Sequence, residues 1–391
     1  MNNTKVINIS TSSSSFAMAD YKSDIFKGWY AQVAYQLRKK MQKIELECWA
    51  PERKYKKEFT KINQGVKFRI FPSTLSVRHG MEFSMPLISA LNNEILLAEK
   101  KNTKLIIHLH EYHSWLTYSI LFFAKKSENL KIIAQHHGGR SPFENLRRYK
   151  RMLLAFPAVI LMQFSENLLF KRINTFYALS NPEIKYLRTI APKSNIKFQT
   201  MGIEDEYFKR IDKKLARKKI NLKEKEKYML YLGRIKTTKG VKELLDAFKE
   251  IKDVNLLLVG EGVDYDKYKK YTLQNGITNA IFIGPVYGEK KLLYLSASDC
   301  LILPSHTEGA PVVLMEAIAK NLPVIATDVG GVNRMIKNNR EGIIIPVKSK
   351  EDIKKAVIEI LDWKNKNIQT YANKYKWANI IKETAKDYGL L

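Results

Sequence analysis

The sequence predicts an α/β protein made of two doubly wound, Rossmann-like domains that face each other across a cleft. One observation is the alternation of short apolar segments with helical segments, most regular over residues 228–361, which is typical of a parallel sheet covered by helices. Another is the length of 391 residues, which suits two domains of about 200 residues better than a single core. We expect these domains at residues 1–205 and 206–365, followed by a helical stretch at 366–391 that crosses back toward the first domain.

The first half of the chain supplies its strands and helices in turn. Apolar runs predict the strands, and apolar positions at helical spacing predict the helices. The charged stretch PERKYKKEFT, residues 51–60, is interpreted as a solvated loop. The predicted strands lie at residues 4–10, 44–50, 66–71 and 175–179 and from 195 onward, and the predicted helices lie at 27–41, 81–99 and 182–190.

Two further strands of the first half run into loops that contain histidine. KLIIHLHEYHSW begins at Lys104, and KIIAQHHGGRSP begins at Lys131. Because the carboxyl ends of parallel strands lie at one edge of a sheet, we expect both loops at the edge where such sheets bind ligands. His137, directly before a glycine pair, is the candidate hydrogen-bond donor to substrate hydroxyls.

The same histidines raise the question of a metal site. Glu111 is the only acid near them, and neither loop contains a cysteine. That ligand set fits a protein metal centre poorly, so we expect no bound metal. The histidines concerned are His108, His110, His113, His136 and His137.

The second half alternates strands and helices over most of its length. This alternation predicts a second doubly wound parallel sheet. The predicted strands lie at residues 228–233, 254–259, 280–283, 300–303, 323–327 and 342–346, and the predicted helices lie at 239–251, 264–274, 289–297, from about 310, and at 350–361.

The composition is strongly basic, with 67 Lys and Arg against 39 Asp and Glu and a formal net charge of +28. Residues 1–200 carry a net +18 and residues 201–391 a net +10, so the first half is the more basic. Such a field attracts phosphate-bearing partners, namely an anionic membrane, nucleic acid or a phosphorylated substrate. A solvated surface without a partner is the alternative.

Residues 147–172 combine an apolar core at 152–162 with basic residues on both sides. The core is too short to span a bilayer, and Pro157 interrupts it. This pattern fits a segment lying in the interface of an anionic membrane. An ordinary buried helix under a basic loop fits it equally well, and both interpretations stay open.

The two cysteines indicate a reducing compartment. Cys48 and Cys300 each lie in an apolar strand-like segment, which favours two buried free thiols over a disulfide. The opening MNNTKVINIS lacks the basic start and long apolar run of a signal peptide. We therefore expect a cytoplasmic protein, peripheral on the inner face of the cell membrane.

Two glutamates, Glu308 and Glu316, stand eight positions apart around a helix predicted to start near Ala310. Pro311 suits the first helical turn, where its missing N–H costs no hydrogen bond. The start of this helix is a binding site for a phosphate, because the positive end of the helix dipole and unpaired amides meet there. These amides belong to Gly309, Ala310 and Val312.

Carboxylates on both sides of an anion-binding site suit a phosphorylated ligand with many hydroxyl groups, because carboxylates accept hydrogen bonds from hydroxyls. Ser305 is a candidate for capping the helix. An amphipathic helix with two solvated acids is the alternative.

The turn YLGRIKTTKG joins a predicted strand to a helix and carries two cations, Arg234 and Lys239. Gly233 lets the backbone approach a ligand, and the cations lie where a diphosphate is held at a helix start. Two ordinary surface cations are the alternative. The turn is neither a Walker loop nor a GxGxxG fingerprint, so a nucleoside triphosphatase or a dehydrogenase gains no support.

Four sequence blocks follow one another over residues 228–361. They are YLGRIKTTKGVKELLDAF, LLLVGEGVDYDKY, IFIGPVYGEKKLLYLSASDCLILPSHTEGAPVVLMEAIAKNLPVIATDVGG and EGIIIPVKSKEDI. Their order and spacing resemble those of the nucleotide-sugar-dependent glycosyltransferases of family four, which have the GT-B fold. In the first half, NIKFQTMGIEDEYF and TFYALSNPEIKYL show a weaker resemblance.

The resemblance implies a role for each candidate residue. Glu308 matches the first glutamate of an E-x7-E motif, which contacts the transferred sugar, and Glu316 matches the second, which holds the ribose. Arg234 and Lys239 match the pair that binds the donor diphosphate, and His137 matches a histidine that faces the donor sugar. The amides that match those near the sugar and phosphates belong to Gly309, Ala310, Pro311 and Val312.

The resemblance also implies retention of anomeric configuration, no metal, and no cofactor beyond a UDP-sugar or GDP-sugar donor. Backbone near Gly284 to Val286 is implied for the base pocket. Two positions depart from the family pattern. Arg334 stands where glutamate is frequent, and the glycine-rich first loop is reduced to Ser12–Ser15 and Gly28, which puts acceptor recognition in doubt.

We therefore expect a retaining, metal-independent glycosyltransferase of the hexosyltransferase type. It would move a sugar to a lipid-linked or cell-envelope glycan at the cytoplasmic membrane face. A nucleotide-sugar epimerase or a phosphorylase of the same fold is the alternative within catalysis. A basic nucleic-acid-binding protein is disfavoured, because no aromatic residues interleave with the basic ones and the two glutamates would repel a phosphate backbone.

Overall fold

The computed structural model describes residues 4–11, 25–76, 82–138, 164–337, 339–363 and 367–391. The chain forms two compact units. The first contains Met1–Thr200 together with Ile381–Leu391, and the second contains Met201–Ile380. The division after Thr200 differs slightly from the predicted limit at residue 205, and only the end of the predicted 366–391 segment groups with the first unit.

The first unit is built on an eight-stranded sheet in the order β10-β9-β8-β7-β1-β2-β4-β3. All neighbouring strands are parallel except β3, which runs antiparallel to β4 at the edge. Chain order reverses between β1 and β7, which makes their carboxyl ends a topological switch point. The strands are β1 (Thr4–Ser10), β2 (Glu45–Glu52), β3 (Phe59–Asn63), β4 (Val66–Pro72), a hairpin of β5 (Leu75–Ser76) and β6 (Glu82–Phe83), β7 (Lys104–His110), β8 (Leu130–Gln135), β9 (Thr175–Ala178) and β10 (Asn195–Phe198).

Alternate residues of these strands point to opposite faces of the sheet. On one face, side chains such as Ile7, Ile107 and Phe176 join a buried apolar core with the helices. On the other face several buried positions are polar, and the C-terminal residues pack there: the Tyr388 hydroxyl lies 2.7 Å from His108 Nδ1, and Tyr177 donates to Asp387. The helices are Trp29–Lys40, Met85–Lys100, Trp115–Phe123, residues 164–169, Asn181–Ile190 and the end of Trp377–Tyr388.

The interpretation of residues 51–60 as a loop is wrong at both ends. Strand β2 continues to Glu52, and β3 begins at Phe59. Cross-strand pairing with β4 fixes β3, although most of its side chains are exposed, so its sequence carries no apolar pattern. The Trp115–Phe123 helix was not predicted, because its apolar residues directly follow the histidine loop.

The second unit contains a six-stranded, fully parallel sheet in the order β13-β12-β11-β14-β15-β16. Counted along the chain, this is the order 3-2-1-4-5-6 of a doubly wound nucleotide-binding sheet, with its switch point between β11 and β14. All six predicted strands are confirmed. They are β11 (Tyr228–Leu232), β12 (Asn255–Val259), β13 (Ala280–Gly284), β14 (Cys300–Leu303), β15 (Val324–Thr327) and β16 (Gly342–Ile345).

Helices cover both faces of this sheet. The amphipathic Val241–Glu250 helix, for example, buries Leu244, Leu245 and Phe248 in the core. The predicted α/β fold class, with two Rossmann-like parallel-sheet domains, is therefore confirmed. The helices of this unit are Lys213–Lys219, Val241–Glu250, Tyr265–Gln274, Gly288–Ala297, Val312–Ala319, Val332–Met335, Lys350–Leu361, Gln369–Ala372 and the start of Trp377–Tyr388.

Both cysteines are free and fully buried, as the sequence predicted. Burial raises the pKa of each thiol well above its usual value, which keeps the thiols protonated and inert. Within the described ranges, no helix has the length and apolar character needed to cross a bilayer. The apolar core of the predicted interfacial segment, at 152–162, lies outside the described residues.

Candidate active site

The candidate site of the second unit lies at the switch point of its sheet, where β11 and β14 run side by side. Two loops leave the carboxyl ends of these strands. We call residues 233–240, after β11, the cation loop, and residues 304–311, after β14, the glutamate loop. Open parallel sheets bind ligands at such a point, because loops on either side diverge there and leave a crevice.

Hydrogen bonds to neighbouring strand ends fix the cation loop. Gly233 N donates to Val259 O over 3.0 Å, and the buried Tyr231 hydroxyl donates to Arg234 O over 2.6 Å. Further along, Asp264 accepts from both the backbone N–H and the hydroxyl of Thr237. The backbone that carries Arg234 and Lys239 is therefore held in place from both sides.

The two loops pack against each other backbone to backbone at Gly240. This residue has φ of +68°, and a Cβ built on it would lie 1.9 Å from Pro304 O. His306 N donates to Thr238 O over 2.9 Å in the same contact. Only glycine combines the left-handed conformation with this approach, so the contact depends on the residue at position 240.

Lys239 and Glu308 meet across this contact. Lys239 Nζ lies 2.7 Å from Glu308 Oε1, and the Ser305 hydroxyl donates to the same oxygen over 2.7 Å. The Glu308 side chain is only 11% exposed, so solvent screens this ion pair weakly. Glu308 Oε2 receives no hydrogen bond from any described residue, which leaves it as an acceptor for a ligand hydroxyl.

The charges of Glu308 and Arg234 both affect the hydroxyl of Tyr231. Burial raises the pKa of its hydroxyl above the usual value, the charge of Glu308 raises it further, and the charge of Arg234 opposes the shift. Both charges therefore act on one buried hydroxyl at the end of β11. The structure thus places Arg234, Lys239 and Glu308 around the end of β11.

The helix after the glutamate loop starts two residues later than predicted, at Val312 and not near Ala310. Pro311 occupies the N-cap position, with φ of −70° and ψ of 108°, and no side chain caps the helix, because Ser305 bonds to Glu308 instead. Gly331 N donates to Gly309 O over 2.6 Å, so the turn at residues 328–331, which follows β15, supports the glutamate loop. The helix therefore begins a few residues after Glu308, and the first N–H groups of a helix have no partner within it.

Glu316 lies in the second turn of this helix, and 9% of its side chain is exposed. Both of its oxygens lie 2.7 Å from Lys291 Nζ, on the Gly288–Ala297 helix. The sequence analysis missed Lys291. It stands beside Lys290 in an ordinary helical pattern, and nothing in its neighbours distinguishes it before the two helices are brought together.

His137 lies in the first unit, just after β8, and its imidazole is partly exposed. Its Nε2 lies 2.9 Å from His110 Nδ1, and its ring packs on Trp29 with centroids 4.4 Å apart. Burial lowers the pKa of His137 well below the usual value, and the neighbouring histidines lower it further, so the ring is neutral at pH 7. Within the described residues no three His, Cys, Asp or Glu side chains are grouped as metal ligands would be.

A comparison with protein families finds one match, and it falls in the second unit. Residues 212–377 match the family model Glycosyl transferases group 1. The matched residues include the cation loop, the glutamate loop, Glu316 and Lys291, whereas His137 lies outside them. The chain spans about half the length of the first curated relatives that it matches.

Curated proteins and solved structures are also similar to this chain. Over 146 residues the chain is 34% identical to the putative teichuronic acid biosynthesis glycosyltransferase TuaC of Bacillus subtilis, covering 37% of this chain and 36% of TuaC. The sucrose-phosphate synthase of Thermosynechococcus elongatus matches 99% of this chain and 98% of its own, with a TM-score of 0.71 and 17% identity. Anabaena HepE in complex with UDP matches 99% and 100%, with a TM-score of 0.68 and 15% identity. The likeness to the two solved structures shows the fold.

Proposed function

We propose that the protein is a retaining glycosyltransferase that moves a sugar from a nucleotide diphosphate sugar to an acceptor hydroxyl. The observation that carries this proposal is the meeting of Lys239 and Glu308 at the switch point of a glycosyltransferase group 1 domain. A cation for the diphosphate and a carboxylate for the sugar are side by side there. A donor whose sugar is bonded directly to a diphosphate has the matching arrangement of groups.

Each side chain has a defined task in this reaction. As the bond between the anomeric carbon and the diphosphate oxygen breaks, negative charge grows on the leaving diphosphate. Arg234, Lys239 and the amides at the start of the Val312–Ala319 helix stabilise that charge more in the transition state than in the ground state. The acceptor hydroxyl attacks the anomeric carbon from the face that the diphosphate leaves, passes its proton to the departing diphosphate oxygen, and gives a product of retained configuration.

Glu308 and Glu316 orient the donor. Glu308 Oε2 accepts from a sugar hydroxyl, while Oε1 stays bonded to Lys239 and Ser305. Glu316 accepts from the ribose, with Lys291 holding its carboxylate in place. The site offers its charge stabilisation through side chains and amides, so we propose that transfer needs no metal ion.

For the acceptor we propose a lipid-linked or cell-envelope glycan at the cytoplasmic membrane face. Support comes from the basic first half, the apolar segment at 152–162 and the likeness to a glycosyltransferase of teichuronic acid biosynthesis. The membrane part is tested by binding to vesicles that contain anionic lipid. Absent binding, or binding that is unchanged when Arg147, Arg148, Lys150 and Arg151 are neutralised, would remove the membrane from the proposal.

The donor is tested by a thermal-shift screen of UDP, GDP, ADP and CDP. A bound ligand stabilises the native state, by about 2.7 kcal/mol at a hundred times its Kd. We expect one or two of these nucleotides to raise the Tm of the wild type and to raise that of Lys239→Ala less. If none does, the protein has no nucleotide diphosphate site and the proposal fails. Release of free sugar or sugar phosphate without an acceptor would instead indicate an epimerase or a phosphorylase.

A further inference from the structure

Apolar side chains are exposed on the first unit around the end of the Trp115–Phe123 helix. Phe122 is 66% exposed and Phe123 is 49% exposed, and their ring centroids lie 4.9 Å apart. The ring of Phe123 also lies edge-on to that of Phe83, which pairs across the β5–β6 hairpin with the half-exposed Leu75. These four side chains therefore form one continuous apolar surface.

The Met85–Lys100 helix extends this surface. Asn92 Nδ2 donates to Phe123 O over 3.2 Å, which places one face of the helix beside the phenylalanines. Met85 and Leu96 share that face with Asn92, and each is more than two-fifths exposed. We call the following six residues the apolar surface: Leu75, Phe83, Met85, Leu96, Phe122 and Phe123.

Cations lie at the rim of the apolar surface. The guanidinium of Arg172 donates to three carbonyl oxygens at and just after the end of the Trp115–Phe123 helix. Lys125 and Lys126 follow the same helix end, and both are exposed. Within the part of the chain that the structure describes, no ion pair joins any of these three cations to an acid. The rim is therefore basic and not neutralised.

This combination has the chemistry of a contact with an anionic bilayer. Apolar side chains enter the boundary between headgroups and acyl chains, while lysine and arginine lie against the lipid phosphates. Arg172 is also the last residue of the 147–172 segment, whose sequence fits an interfacial position. The apolar surface is thus continuous with the end of that segment.

We propose that the apolar surface docks the first unit on an anionic membrane. Phe122 and Phe123 insert among the acyl chains, and Lys125 and Lys126 contact the lipid phosphates. This inference rests on the membrane part of the proposed function and assigns it to side chains outside the apolar core at 152–162. It is independent of the donor and of the transfer reaction.

Vesicles of phosphatidylcholine with about 30% phosphatidylglycerol measure the docking of the full chain. Phe122→Ser combined with Phe123→Ser should lower the vesicle partition coefficient about tenfold or more, because two large apolar side chains no longer leave water. Ile62→Ser combined with Leu273→Ser is the matched control, since it removes two exposed apolar side chains elsewhere. We expect the control to bind as the wild type does. Equal binding of all three proteins overturns the proposal.

The basic rim is tested on the same vesicles. Lys125→Gln combined with Lys126→Gln should weaken binding about tenfold and should leave binding to pure phosphatidylcholine unchanged, because the attraction requires anionic lipid. Lys56→Gln combined with Lys57→Gln, in the exposed loop between β2 and β3, is the control of equal charge. Equal weakening by the two pairs would show an effect of net charge alone and would overturn the contact of the rim with lipid.

A fluorescent label tests insertion without depending on a loss of binding. Cys48 and Cys300 are buried and inert, so the new thiol of a Phe122→Cys variant can be labelled alone with an environment-sensitive dye. On anionic vesicles we expect its emission to shift to the blue and to be quenched by nitroxide-labelled lipid. The dye in an Ile62→Cys variant should show neither change. Unchanged emission at position 122 in vesicle-bound protein overturns the proposal.

The outcomes separate this inference from the proposed function. Vesicle binding that survives in the Phe122 and Phe123 variant overturns the docking surface and leaves the membrane acceptor standing, whereas no binding by the wild type overturns both. A wild-type dimer that becomes a monomer in this variant, with vesicle binding unchanged, assigns the surface to a second copy of the chain and overturns the proposal. Nucleotides should raise the Tm of the variant and of the wild type equally, since both phenylalanines lie outside the matched residues 212–377.

Discussion

Lys239 Nζ lies 2.7 Å from Glu308 Oε1, so one of the two cations expected to bind a diphosphate is paired with the carboxylate expected to bind the sugar. The cation pair and the carboxylate pair do not simply occupy opposite ends of the site. In the proposed reaction Lys239 binds the diphosphate while it stays bonded to Glu308 Oε1, which also keeps its bond to Ser305. The two roles are therefore coupled through one ion pair.

Removing either cation should reduce sugar transfer strongly. We expect Lys239→Ala and Arg234→Ala each to lower kcat/KM by about 10- to 100-fold, because a hydrogen bond to a charged group contributes about 1.5–3 kcal/mol. Steady-state kinetics with the donor from the thermal-shift screen measure the effect. Lys242→Ala is the control, since Lys242 pairs with Asp246 on the exposed side of the neighbouring helix. Activity within about threefold of the wild type in both variants would refute the assignment.

The pairing itself is tested by a double-mutant cycle. Glu308→Gln should cost less in the Lys239→Ala background than in the wild type, because the partner charge is already absent. Additive losses in kcat/KM would show that the two side chains act independently in the reaction, contrary to the coupling inferred from the structure.

Lys291 should contribute both to the stability of the folded protein and to nucleotide binding. We expect Lys291→Met to lower the free energy of unfolding by about 1–3 kcal/mol, because it leaves the nearly buried Glu316 carboxylate without its cation. Adding Glu316→Gln should recover part of that loss while weakening nucleotide binding. Urea denaturation and calorimetry measure the two effects. Lys290→Met, at the exposed neighbouring position, should change neither.

The backbone contact between the two loops gives a prediction about stability. Gly240→Ala should destabilise the protein by well over the roughly 1–2 kcal/mol that a left-handed backbone conformation costs an alanine, because its Cβ would also overlap Pro304 O. Gly276→Ala is matched, with φ of +63° and nothing within 4 Å of the added Cβ, so it should show the conformational cost alone. If urea denaturation shows equal losses of unfolding free energy in the two variants, the close contact between the two loops does not contribute to stability.

The buried histidines predict acid sensitivity of the first unit. Burial lowers the pKa of His108 to about 3 in the folded protein, from about 6.5 when unfolded. The unfolded chain therefore binds more protons than the folded one below pH 6.5, so stability is complete above that pH and declines as the pH falls toward 3. For His108 alone the loss at pH 5 is about 2 kcal/mol as an upper estimate.

Urea denaturation between pH 5 and 8 measures this dependence. His108→Asn should reduce the slope, because one of the groups that titrate on unfolding is removed while His110 and His137 remain. Tyr388→Phe, which deletes the hydroxyl 2.7 Å from His108 Nδ1 and keeps the histidine buried, should retain the wild-type slope. A slope that is the same in His108→Asn as in the wild type would contradict the prediction.

Local patterns in the sequence were sufficient to predict the six strands of the second unit, because each is a short apolar run between turn residues. They were also sufficient to place Glu308, Arg234 and Lys239 at strand ends, where parallel sheets bind ligands. The strand at 59–63 and the helix start at Val312 were not predicted correctly. Pairing with β4 determines the former, and the packing of Gly309 against Gly331 accompanies the latter.

The sequence by itself determined the fold class and the residue types available at the switch points. Only the tertiary structure decided their partners: Lys239 with Glu308 over 69 positions, Lys291 with Glu316 over 25, and His110 between Asn8 and His137. Periodicity and turn chemistry act over a few neighbouring residues, so a sequence encodes them locally. The partner of a buried charge or imidazole depends on which strands become neighbours, and that is set when the whole sheet forms.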